Sequence, residues 1–324
     1  MDAIRALKTS REIASHLGPL TGQVYLITGA SNGLGLEMAK ALAAAQGTVV
    51  LACRAGAKAA AALAAVRAEA PGGSGGGGGA AASVHLLDLD LGSAASVRAC
   101  AAAFGALRLP LHALCCNAGI NGVPAFGAFS PGVESTLQVN LLGHYLLHDL
   151  LRPALAATPG ARCVILSSES HRRVTDALPT LAAELPPRAE GYDSLRAYAF
   201  SNLCRTLWCR AEARRCPYPV VCLHPAVVAG TGMMAHMGLL DAVRQVALAL
   251  WWEVGPSNLT QSQQAGSRLQ TWLALAPLER LRSGAYYSGN ACHAFGEPLE
   301  TSPQAARDDL AEEVLRFAEA ACRA

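Results

Sequence analysis

Charged residues are scarce in this sequence of 324 residues: they make up 15% of it, and aromatic residues make up only 5%. The net charge is +2 at pH 7, and basic residues nowhere form a long run. Nucleic acid and anionic membrane surfaces call for stronger or more clustered positive charge, so neither is expected as a partner. Hydrophobic residues make up 52%, which suffices for the core of one large α/β domain.

Long apolar segments are also missing. No stretch reaches the roughly 18 uncharged apolar residues of a transmembrane helix, so none is predicted. The N-terminus lacks the apolar core of a secretory signal. Basic residues lie among Ser and Ala within Met1–Leu17, as in organelle transit peptides, but Asp2 and Glu12 favour a short amphipathic leading helix instead.

Paired cysteine motifs are absent, although the sequence has 11 cysteines. The number is odd, and neither a CxxC pair nor a Cys/His spacing typical of zinc occurs. The cysteines lie in apolar stretches such as Val49–Cys53 and Leu114–Cys116, so we expect buried, reduced thiols and no metal site. This favours a reducing intracellular compartment: the cytoplasm first, with chloroplast or mitochondrion as alternatives.

Apolar β-forming runs alternate with Ala-rich helical stretches along the chain. The predicted strands are Val24–Thr28, Thr48–Cys53, Val84–Leu87, Ala113–Cys116, Cys163–Leu166 and Val220–Leu223. The predicted helices are Leu34–Ala45, Ala57–Ala70, Ala94–Phe104, Gly132–Ala157 and Ser194–Arg215. Continuously apolar strands separated by helices predict a parallel sheet that is covered on both faces. The fold class is therefore α/β: a doubly wound, three-layer Rossmann sheet in a single domain over 1–324.

Two segments interrupt this alternation. Residues 71–82 are almost entirely Gly, Ala and Ser, which predicts a flexible surface loop. Within Met233–Val254, apolar residues recur at helical spacing and Trp251–Trp252 closes the run. This second segment is either a core-packing helix or part of a lid over an apolar substrate at 230–258, because substrate clefts lie beyond the C-terminal ends of parallel strands.

A glycine-rich turn directly follows the first predicted strand. It reads Thr28-Gly29-Ala30-Ser31-Asn32-Gly33-Leu34-Gly35 and leads into a helix. Glycines let the backbone approach a pyrophosphate, which the N–H groups and positive dipole of the helix N-terminus then bind. The strand before the turn, the helix after it and the βαβ unit around it together predict a dinucleotide site.

The end of the second strand indicates which dinucleotide is bound. Leu51-Ala52-Cys53-Arg54 offers no carboxylate for the ribose 2′-hydroxyl of NAD. Arg54 can pair with the 2′-phosphate of NADP, because a planar guanidinium matches phosphate oxygens. NADP is therefore expected rather than NAD; the alternative is that Arg54 is an ordinary solvent-exposed residue after a strand.

Further motifs follow in the order found in one enzyme family. They are Asp90-Leu91, Asn117-Ala118-Gly119, Asn140 within Val139–His144, Ser167-Ser168, and Tyr198 at the start of a YxxxK-like pattern. With the TGxxxGxG pattern at Thr28–Gly35, the chain resembles the short-chain dehydrogenase/reductase family over nearly its whole length. The segments Leu51–Arg54 and Ser167–Arg172 resemble its retinol-dehydrogenase-like branch, to which the WW-domain-containing oxidoreductases belong.

This resemblance implies an NADP-dependent oxidoreductase that acts on lipophilic alcohols or aldehydes such as retinoids or steroids. Beyond the glycine turn and Arg54, it implies cofactor contacts from Asp90, Leu91, Asn117, Ala118, Gly119, Tyr198, Pro225, Val228 and Thr231. It implies a catalytic set of Ser168, Tyr198, Asn140 and residue 202. Tyr198 would be the general acid/base, Ser168 would hold the substrate oxygen, and Asn140 would support a water in the proton relay.

Relatives dimerise through helices matching those predicted at Gly132–Ala157 and Ser194–Arg215, so a homodimer or a subunit of a larger assembly is an open expectation.

Two positions depart from the family pattern. The Lys of YxxxK is Asn202; a second register, Tyr192 to Arg196, fits the following Ser201–Cys204 less well than Tyr198 does. A neutral Asn can bond a ribose, but it cannot supply the charge that lowers a tyrosine pKa from about 10 toward neutrality. The Pro-Gly after the sixth strand reads His224-Pro225-Ala226, with Thr231 one residue late.

Two functional hypotheses remain open on these residues. The first is an NADP-dependent reductase or dehydrogenase of apolar carbonyl compounds, slowed by Asn202. The second is a catalytically silent protein that binds NADP as a structural or sensing ligand and serves as a subunit or scaffold, since fold alone does not determine function. Retention of Asn140, Ser168 and Tyr198 favours the first, and Asn202 favours the second.

Overall fold

An eight-stranded sheet forms the centre of the computed structural model. The structure describes residues 2–71, 83–123, 128–130, 133–175, 191–228, 261–290 and 292–323. The predicted loop at 71–82, apart from Pro71, and the predicted lid at 230–258 lie outside these residues, as does Thr231.

The sheet is parallel except at one edge. The strands are β1 (Val24–Thr28), β2 (Thr48–Cys53), β3 (Val84–Asp88), β4 (Ala113–Cys116), β5 (Ala128–Ser130), β6 (Val133–Glu134), β7 (Arg162–Leu166), β8 (Val220–His224), β9 (Tyr286–Ser288) and β10 (Pro298–Leu299). Strands β5 and β6 form a separate antiparallel pair. The others run in the order β3-β2-β1-β4-β7-β8-β9-β10, and only β10 is antiparallel to its neighbour. This confirms the predicted doubly wound sheet, whereas β9 and β10 were not predicted, because runs this short show no periodicity.

Helices cover both faces of the sheet. They are α1 (Asp2–Ala6), α2 (Ser10–Leu17), α3 (Gly33–Ala44), α4 (Ala57–Glu69), α5 (Ala94–Ala106), α6 (Ser135–Leu137), α7 (Gly143–Ala157), α8 (Ser194–Glu212), α9 (Gln263–Gly266), α10 (Arg268–Leu275) and α11 (Asp308–Arg323). One core packs the sheet against α5, α7, α8 and α11, and the other packs it against α2, α3, α4 and α10. The three-layer α/β/α prediction is thereby confirmed.

Three helical predictions needed correction. The leading helix is divided in two, because Thr9 caps α2: its hydroxyl accepts from Glu12 N, and the Glu12 carboxylate accepts from Thr9 N. The helix predicted from Gly132 begins at Ser135, because the Glu134 carboxylate caps the next turn, and it contains a π-helical segment, Gln138–Leu142. Helix α8 ends at Glu212 rather than Arg215.

The eleven cysteines, all within the described residues, are free thiols. Eight of them are buried as expected. The expectation is wrong for Cys292, which is exposed, and for Cys216 and Cys322, which are partly exposed. Within the described part of the chain, no helix has the length and apolarity to span a membrane.

Candidate active site

A cleft of about 880 Å³ opens beyond the C-terminal ends of β1, β2 and β4, where the strand order reverses. Ligands of open α/β sheets bind at this point, because the crossovers leave a crevice there. The predicted cofactor residues that line it are Gly29, Ser31, Asn32, Gly33, Leu34, Arg54, Asp90, Leu91, Asn117, Ala118 and Gly119. The structure thus brings together residues from four separate loops.

Two glycines of the turn have a steric role that no other residue could fill. Gly29 has a φ of 67°, and a Cβ there would lie 2.9 Å from the Ala118 Cβ. Gly35 does not line the cleft; a Cβ on it would lie 2.6 Å from Asn117 Nδ2. Both glycines therefore let the turn after β1 pack directly against the turn after β4.

Thr28 holds these two turns together. Its carbonyl accepts a hydrogen bond from Asn117 Nδ2 (2.9 Å), and its hydroxyl oxygen accepts one from Ala118 N (2.9 Å). The Thr28 hydroxyl also lies 2.9 Å from His144 Nε2, and His144 Nδ1 lies 3.1 Å from the Asn140 carbonyl. Burial, reinforced by the charge of Arg205, holds the pKa of His144 well below its ordinary value. A neutral His144 then donates through Nδ1 and accepts at Nε2 from the Thr28 hydroxyl.

Asn140 lies in the π-helical segment, with its side chain against the loop after β4. Its Oδ1 accepts from Ile120 N (2.9 Å), and its Nδ2 donates to the Ile120 carbonyl (3.1 Å) and to Ser201 Oγ (3.0 Å). π-Helical turns occur frequently at functional sites, where they redirect a backbone or side chain. The sequence indicated a plain helix here and gave no sign of the extra residue in this turn.

Two cations lie at the end of β2. Arg54 and Lys58 are both exposed and both line the cleft, beside the N-terminus of α4. Lys58 was not predicted from the sequence, because it lies four residues beyond Arg54, inside the helix that follows the strand. A carboxylate does approach from β3, but Asp88 Oδ1 accepts from Ala55 N (2.8 Å) and does not line the cleft. Asp90, in the loop after β3, does line the cleft, and its Oδ1 accepts from Gly92 N (2.9 Å). The end of β2 itself presents two cations and no carboxylate to the cleft.

Ser168 follows β7 and caps a 3₁₀ turn. Its hydroxyl accepts from Ser170 N (3.2 Å), and its carbonyl lies 2.7 Å from His171 Nδ1. Glu169 anchors the turn, since Tyr286 of β9 donates to Oε1 (3.0 Å) and Arg172 donates to Oε2 (2.6 Å). Strand β9, absent from the predicted fold, thus fixes the loop that carries Ser168.

Tyr198 and Asn202 are one turn apart on α8, and both are buried. Asn202 Nδ2 donates to the Tyr198 carbonyl (2.9 Å) and to Ser170 Oγ (3.4 Å), so the two amide hydrogens have partners inside the protein. The Ser170 contact ties α8 to the Ser168 turn. In the other register, Tyr192 precedes the helix, and its hydroxyl donates to Glu134 Oε1 (3.0 Å).

The segment after β8 lies near the start of α3. Val228 forms a β-bridge with Gln261, and a Cβ on Gly266 would clash with Val228 and lie 3.0 Å from Leu34 Cδ2. Val228 is therefore close to the glycine turn after β1, although neither it nor Pro225 lines the cleft.

A group of metal-ligand types occurs elsewhere, between α7 and the end of α8. The ligand atoms of His148, Glu212 and Cys216 lie within 4.8 Å of one another. Arg152, however, donates to both carboxylate oxygens of Glu212, at 2.9 and 3.0 Å. The carboxylate of this group is thus engaged by a bidentate ion pair.

The sheet order, the glycine turn after β1 and the cleft at the reversal of strand order define a Rossmann-type α/β protein. A family model for short chain dehydrogenases matches residues 23–179. The WW domain-containing oxidoreductase of Danio rerio is 34% identical over 298 residues, which cover 90% of this chain and 67% of that protein. Human retinol dehydrogenase 12 is 33% identical over 274 residues, which cover 83% of this chain and 78% of the relative. The chain therefore belongs to the short-chain dehydrogenase/reductase family of oxidoreductases, in its retinol-dehydrogenase-like branch.

Solved structures show the same fold. A protein from Mycobacterium paratuberculosis superimposes with a TM-score of 0.70 at 24% identity, over 96% of this chain and 97% of its own. A short chain dehydrogenase from Escherichia coli, solved with NADPH, superimposes with a TM-score of 0.61 at 19% identity, over 84% of this chain and 98% of its own. The present chain spans about two thirds of the length of the WW domain-containing relatives that it matches.

Proposed function

We propose that the protein is an NADP-dependent oxidoreductase that interconverts an apolar alcohol and its carbonyl compound. The observation that carries this proposal is the cleft itself, in which the glycine turn, the Asn117–Gly119 turn and two cations at the end of β2 face one space. The N-terminus of α3 offers N–H groups and a positive dipole to a pyrophosphate. Arg54 and Lys58 offer charge to a 2′-phosphate.

Gly35, Asn117 and Thr28 have a supporting role in this proposal. The close approach of the two turns leaves backbone rather than side chains facing the cleft at Gly29 and Gly119, so that a dinucleotide can approach the backbone closely. Asp90 and Leu91 lie on the β3 side of the cleft, where the family places the adenine. Bound NADPH would supply a hydride to the substrate carbon.

The proton chemistry is assigned to residues of this chain. Tyr198 donates a proton to the substrate oxygen in reduction and accepts one in oxidation, and Ser168 holds that oxygen. Asn140 bonds both the Ile120 backbone and Ser201, so it holds α8, the helix that carries Tyr198, against the loop after β4. Asn202 bridges Tyr198 and Ser170 and supplies no charge.

The proposed substrate class is apolar. The cleft is also lined by Ile120, Val123, Val139 and Leu166, which are apolar, and by Ser135, which is uncharged, so these residues offer no charged group to a substrate. A relative at 33% identity is named a retinol dehydrogenase. Retinoid-, steroid- or lipid-aldehyde-like compounds match this lining.

The alternative function, a silent NADP-binding subunit, is favoured by one observation: both amide hydrogens of Asn202 are engaged inside the protein. In that case the cofactor would bind without turnover. Assaying NADPH oxidation with a panel of apolar aldehydes, with Tyr198→Phe as the inactive control, separates the two functions. Turnover that Tyr198→Phe abolishes supports the enzyme, and tight NADPH binding without turnover supports the silent subunit.

The cofactor assignment is tested with Arg54→Asp. Charge-assisted contacts to a phosphate are worth about 1.5–3 kcal/mol, so NADPH affinity should fall by about 10- to 100-fold while NADH affinity changes far less. Fluorescence titration with both cofactors measures this. Arg316→Asp, an equal charge change on exposed surface of α11, is the control. An equal loss for NADPH and NADH would contradict the 2′-phosphate role.

A further inference from the structure

A buried cation lies on the same face of α8 as Tyr198 and Asn202. Arg205 is seven residues after Tyr198 and three after Asn202, and these spacings put all three side chains on one side of a helix. Arg205 is 3% exposed. Arg205 has no signature in the sequence, because nothing local distinguishes it from the other arginines of this helix.

The Arg205 guanidinium lies directly behind the wall of the cleft. Its Nη2 donates to the Cys116 carbonyl at the end of β4 (2.7 Å). Its Nη1 would lie 3.5 Å from a Cβ on Gly119, and Gly119 lines the cleft. The charge is therefore separated from the cleft by one glycine backbone.

Arg205 makes few polar contacts for a buried charged side chain. Its Nε has no hydrogen-bond partner, and no carboxylate lies within ion-pair distance of it among the described residues. A buried ion without a counter-charge is costly, so such a residue is rarely tolerated for packing alone.

Arg162 provides an internal comparison. It is also buried, at 8% exposure, but it lies at the opposite end of the sheet from the cleft. Its three guanidinium nitrogens donate to the carbonyls of Gly160 and Ala276. Arg162 is thus satisfied by backbone alone, as a structural arginine would be, whereas Arg205 is not.

The groups that face Arg205 come from four elements. They are Tyr198 on its own helix, His144 on α7, Cys116 on β4 and Cys222 on β8. Burial lowers the pKa of the Arg205 guanidinium, and Cys116, Cys222 and Tyr198 counteract this. Arginine remains protonated in proteins, so the charge stays on Arg205 and His144 beside it stays neutral.

We propose that Arg205 supplies the fixed positive charge of this active site, one turn further along α8 than the lysine that Asn202 replaces. This inference rests on the proposed function. When the Tyr198 hydroxyl gives its proton to the substrate oxygen, a phenolate remains, and Arg205 stabilises that anion through space. Arg205 is a positioning residue, because it acts through Tyr198 and does not touch the reacting atoms.

The size of the effect follows from the spacing. Seven residues of helix correspond to about 10 Å, and two charges at that separation at an effective dielectric constant of about 20 interact by about one pKa unit. Arg205 should therefore hold the pKa of Tyr198 about one unit lower than a neutral residue would.

The test compares Arg205→Gln with Arg205→Lys in the full chain. Gln retains a donor for the Cys116 carbonyl without the charge, and Lys retains the charge. With NADP⁺ and an apolar alcohol, the rise of kcat with pH should move about one unit higher in Arg205→Gln, lowering kcat about ten-fold near neutral pH. Arg205→Lys should keep the wild-type profile. Arg162→Gln, the matched control, should lower stability without moving the profile.

A second test moves the positive charge from position 205 to position 202. Asn202→Lys should restore the profile on the Arg205→Gln background and add little when Arg205 is present, because a second buried cation would repel the first. A folded Arg205→Gln variant with an unchanged pH profile would overturn the proposal. So would an equal gain from Asn202→Lys on both backgrounds.

A readout without turnover keeps this proposal separate from the proposed function. The ultraviolet absorbance of ionised tyrosine, taken as the difference between wild type and Tyr198→Phe, reports the titration of Tyr198 directly. A titration that moves about one unit higher in Arg205→Gln supports the role of Arg205 even if no substrate turns over. An unchanged titration overturns it. If Arg205→Gln fails to fold, the titration of Tyr198 is compared between wild type and Arg205→Lys. Because Lys retains the charge, the pKa of Tyr198 should not change. A change as large as one unit would contradict the proposal that the charge of Arg205 acts on Tyr198.

Discussion

Ala226 has a backbone conformation that residues with a side chain rarely adopt. Its φ is 75°, in the left-handed region, directly after Pro225 at the end of β8. The family pattern has glycine at this point, and glycine adopts a positive φ without strain because it has no Cβ. Close by, a Cβ on Gly289 would lie 2.8 Å from the Pro225 carbonyl oxygen, so the backbone packs tightly around this turn. The departure noted in the sequence therefore has a cost in backbone strain rather than a chemical role.

The substitution Ala226→Gly should raise the free energy of unfolding. Relief of about 1–2 kcal/mol of left-handed strain outweighs the added entropy of the unfolded chain, leaving a gain of about 0.5–1 kcal/mol. Urea denaturation measures this. Ala213→Gly is the control. Ala213 has an ordinary φ of −58°, so this substitution should lower the free energy of unfolding by about 0.5–1 kcal/mol. Equal losses at both positions would show that Ala226 is not strained.

At the scale of elements, the C-terminal helix α11 is the largest one that the sequence analysis left unassigned. Its buried face packs against the core shared with α8, through Leu310, Val314 and Leu315. Its polar side forms ion pairs with α8, such as Arg214 with Asp308 and Glu312 (both 2.7 Å). These ion pairs are about half exposed, so each contributes little, and apolar burial dominates the attachment of α11.

Two substitutions separate these contributions. Leu310→Ala removes a fully buried side chain and should lower the free energy of unfolding by about 2–5 kcal/mol. Arg214→Ala removes two exposed ion pairs and should cost less than about 1 kcal/mol. Denaturant titration of both variants measures the two losses in the free energy of unfolding, and the loss should be larger for Leu310→Ala. The reverse ranking would mean that charge, and not the apolar face, holds α11 in place.

The position of α11 also bears on assembly. It lies along α8, one of the two helices through which the sequence analysis expected a homodimer. Arg98 and the Leu142 carbonyl bind the end of α11 at Cys322, which extends this contact toward α5 and the π-helical segment. A dimer built on α8 therefore has to accommodate or displace α11, and the homodimer stays a prediction.

At the scale of the whole molecule, buried histidines couple stability to pH. Burial lowers the pKa of His148 and of His171 to about 4, and lowers that of His144 still further. Each hydrogen-bonds inside the protein, His148 with the Tyr218 hydroxyl (3.1 Å) and His171 with the Ser168 carbonyl (2.7 Å). These groups are neutral in the native state, whereas in the unfolded chain they bind protons near pH 6.5.

The stability of the protein should therefore fall as the pH drops from about 6.5 toward 4. In that window the unfolded state binds more protons than the native state, so protonation favours unfolding, by about 1–3 kcal/mol for each histidine. Glu169 and Glu212, whose pKa values are lowered despite burial, extend the loss below about pH 4.5. Urea denaturation at pH 7, 6, 5 and 4 measures the slope.

His171→Gln should reduce this slope, and His16→Gln, at an exposed position, should leave it unchanged. If His171→Gln keeps the full slope, the histidine is not responsible. His171→Gln is also expected to be less stable at pH 7, because the contacts to the Ser168 turn are weakened, so the slope and not the absolute stability is the deciding quantity.

Local patterns account for much of the fold and of the cleft. The strands β1, β2 and β4 and the glycine turn were predicted at or near their observed bounds, because buried strands and tight turns each leave a short-range signature. The position of the glycine turn at the cleft follows from the same signal, since a turn from a strand into the next helix lies at the C-terminal end of a parallel sheet. Lys58 could have been found by reading one turn further into α4.

The rest depended on contacts between distant segments. The sequence alone determined the class of fold, the glycine turn after β1 and the order of the candidate site residues, because these depend on composition, periodicity and spacing. Its motifs indicated the family by resemblance. Only the tertiary structure decided that β9 anchors the Ser168 turn, that α11 covers α8, that Asn202 bonds within the protein, and that Arg205 lies buried behind Gly119. The physical reason is that burial and hydrogen-bond partners depend on residues that are far apart in the chain. The sequence around an arginine therefore does not show whether its side chain faces water or an active site.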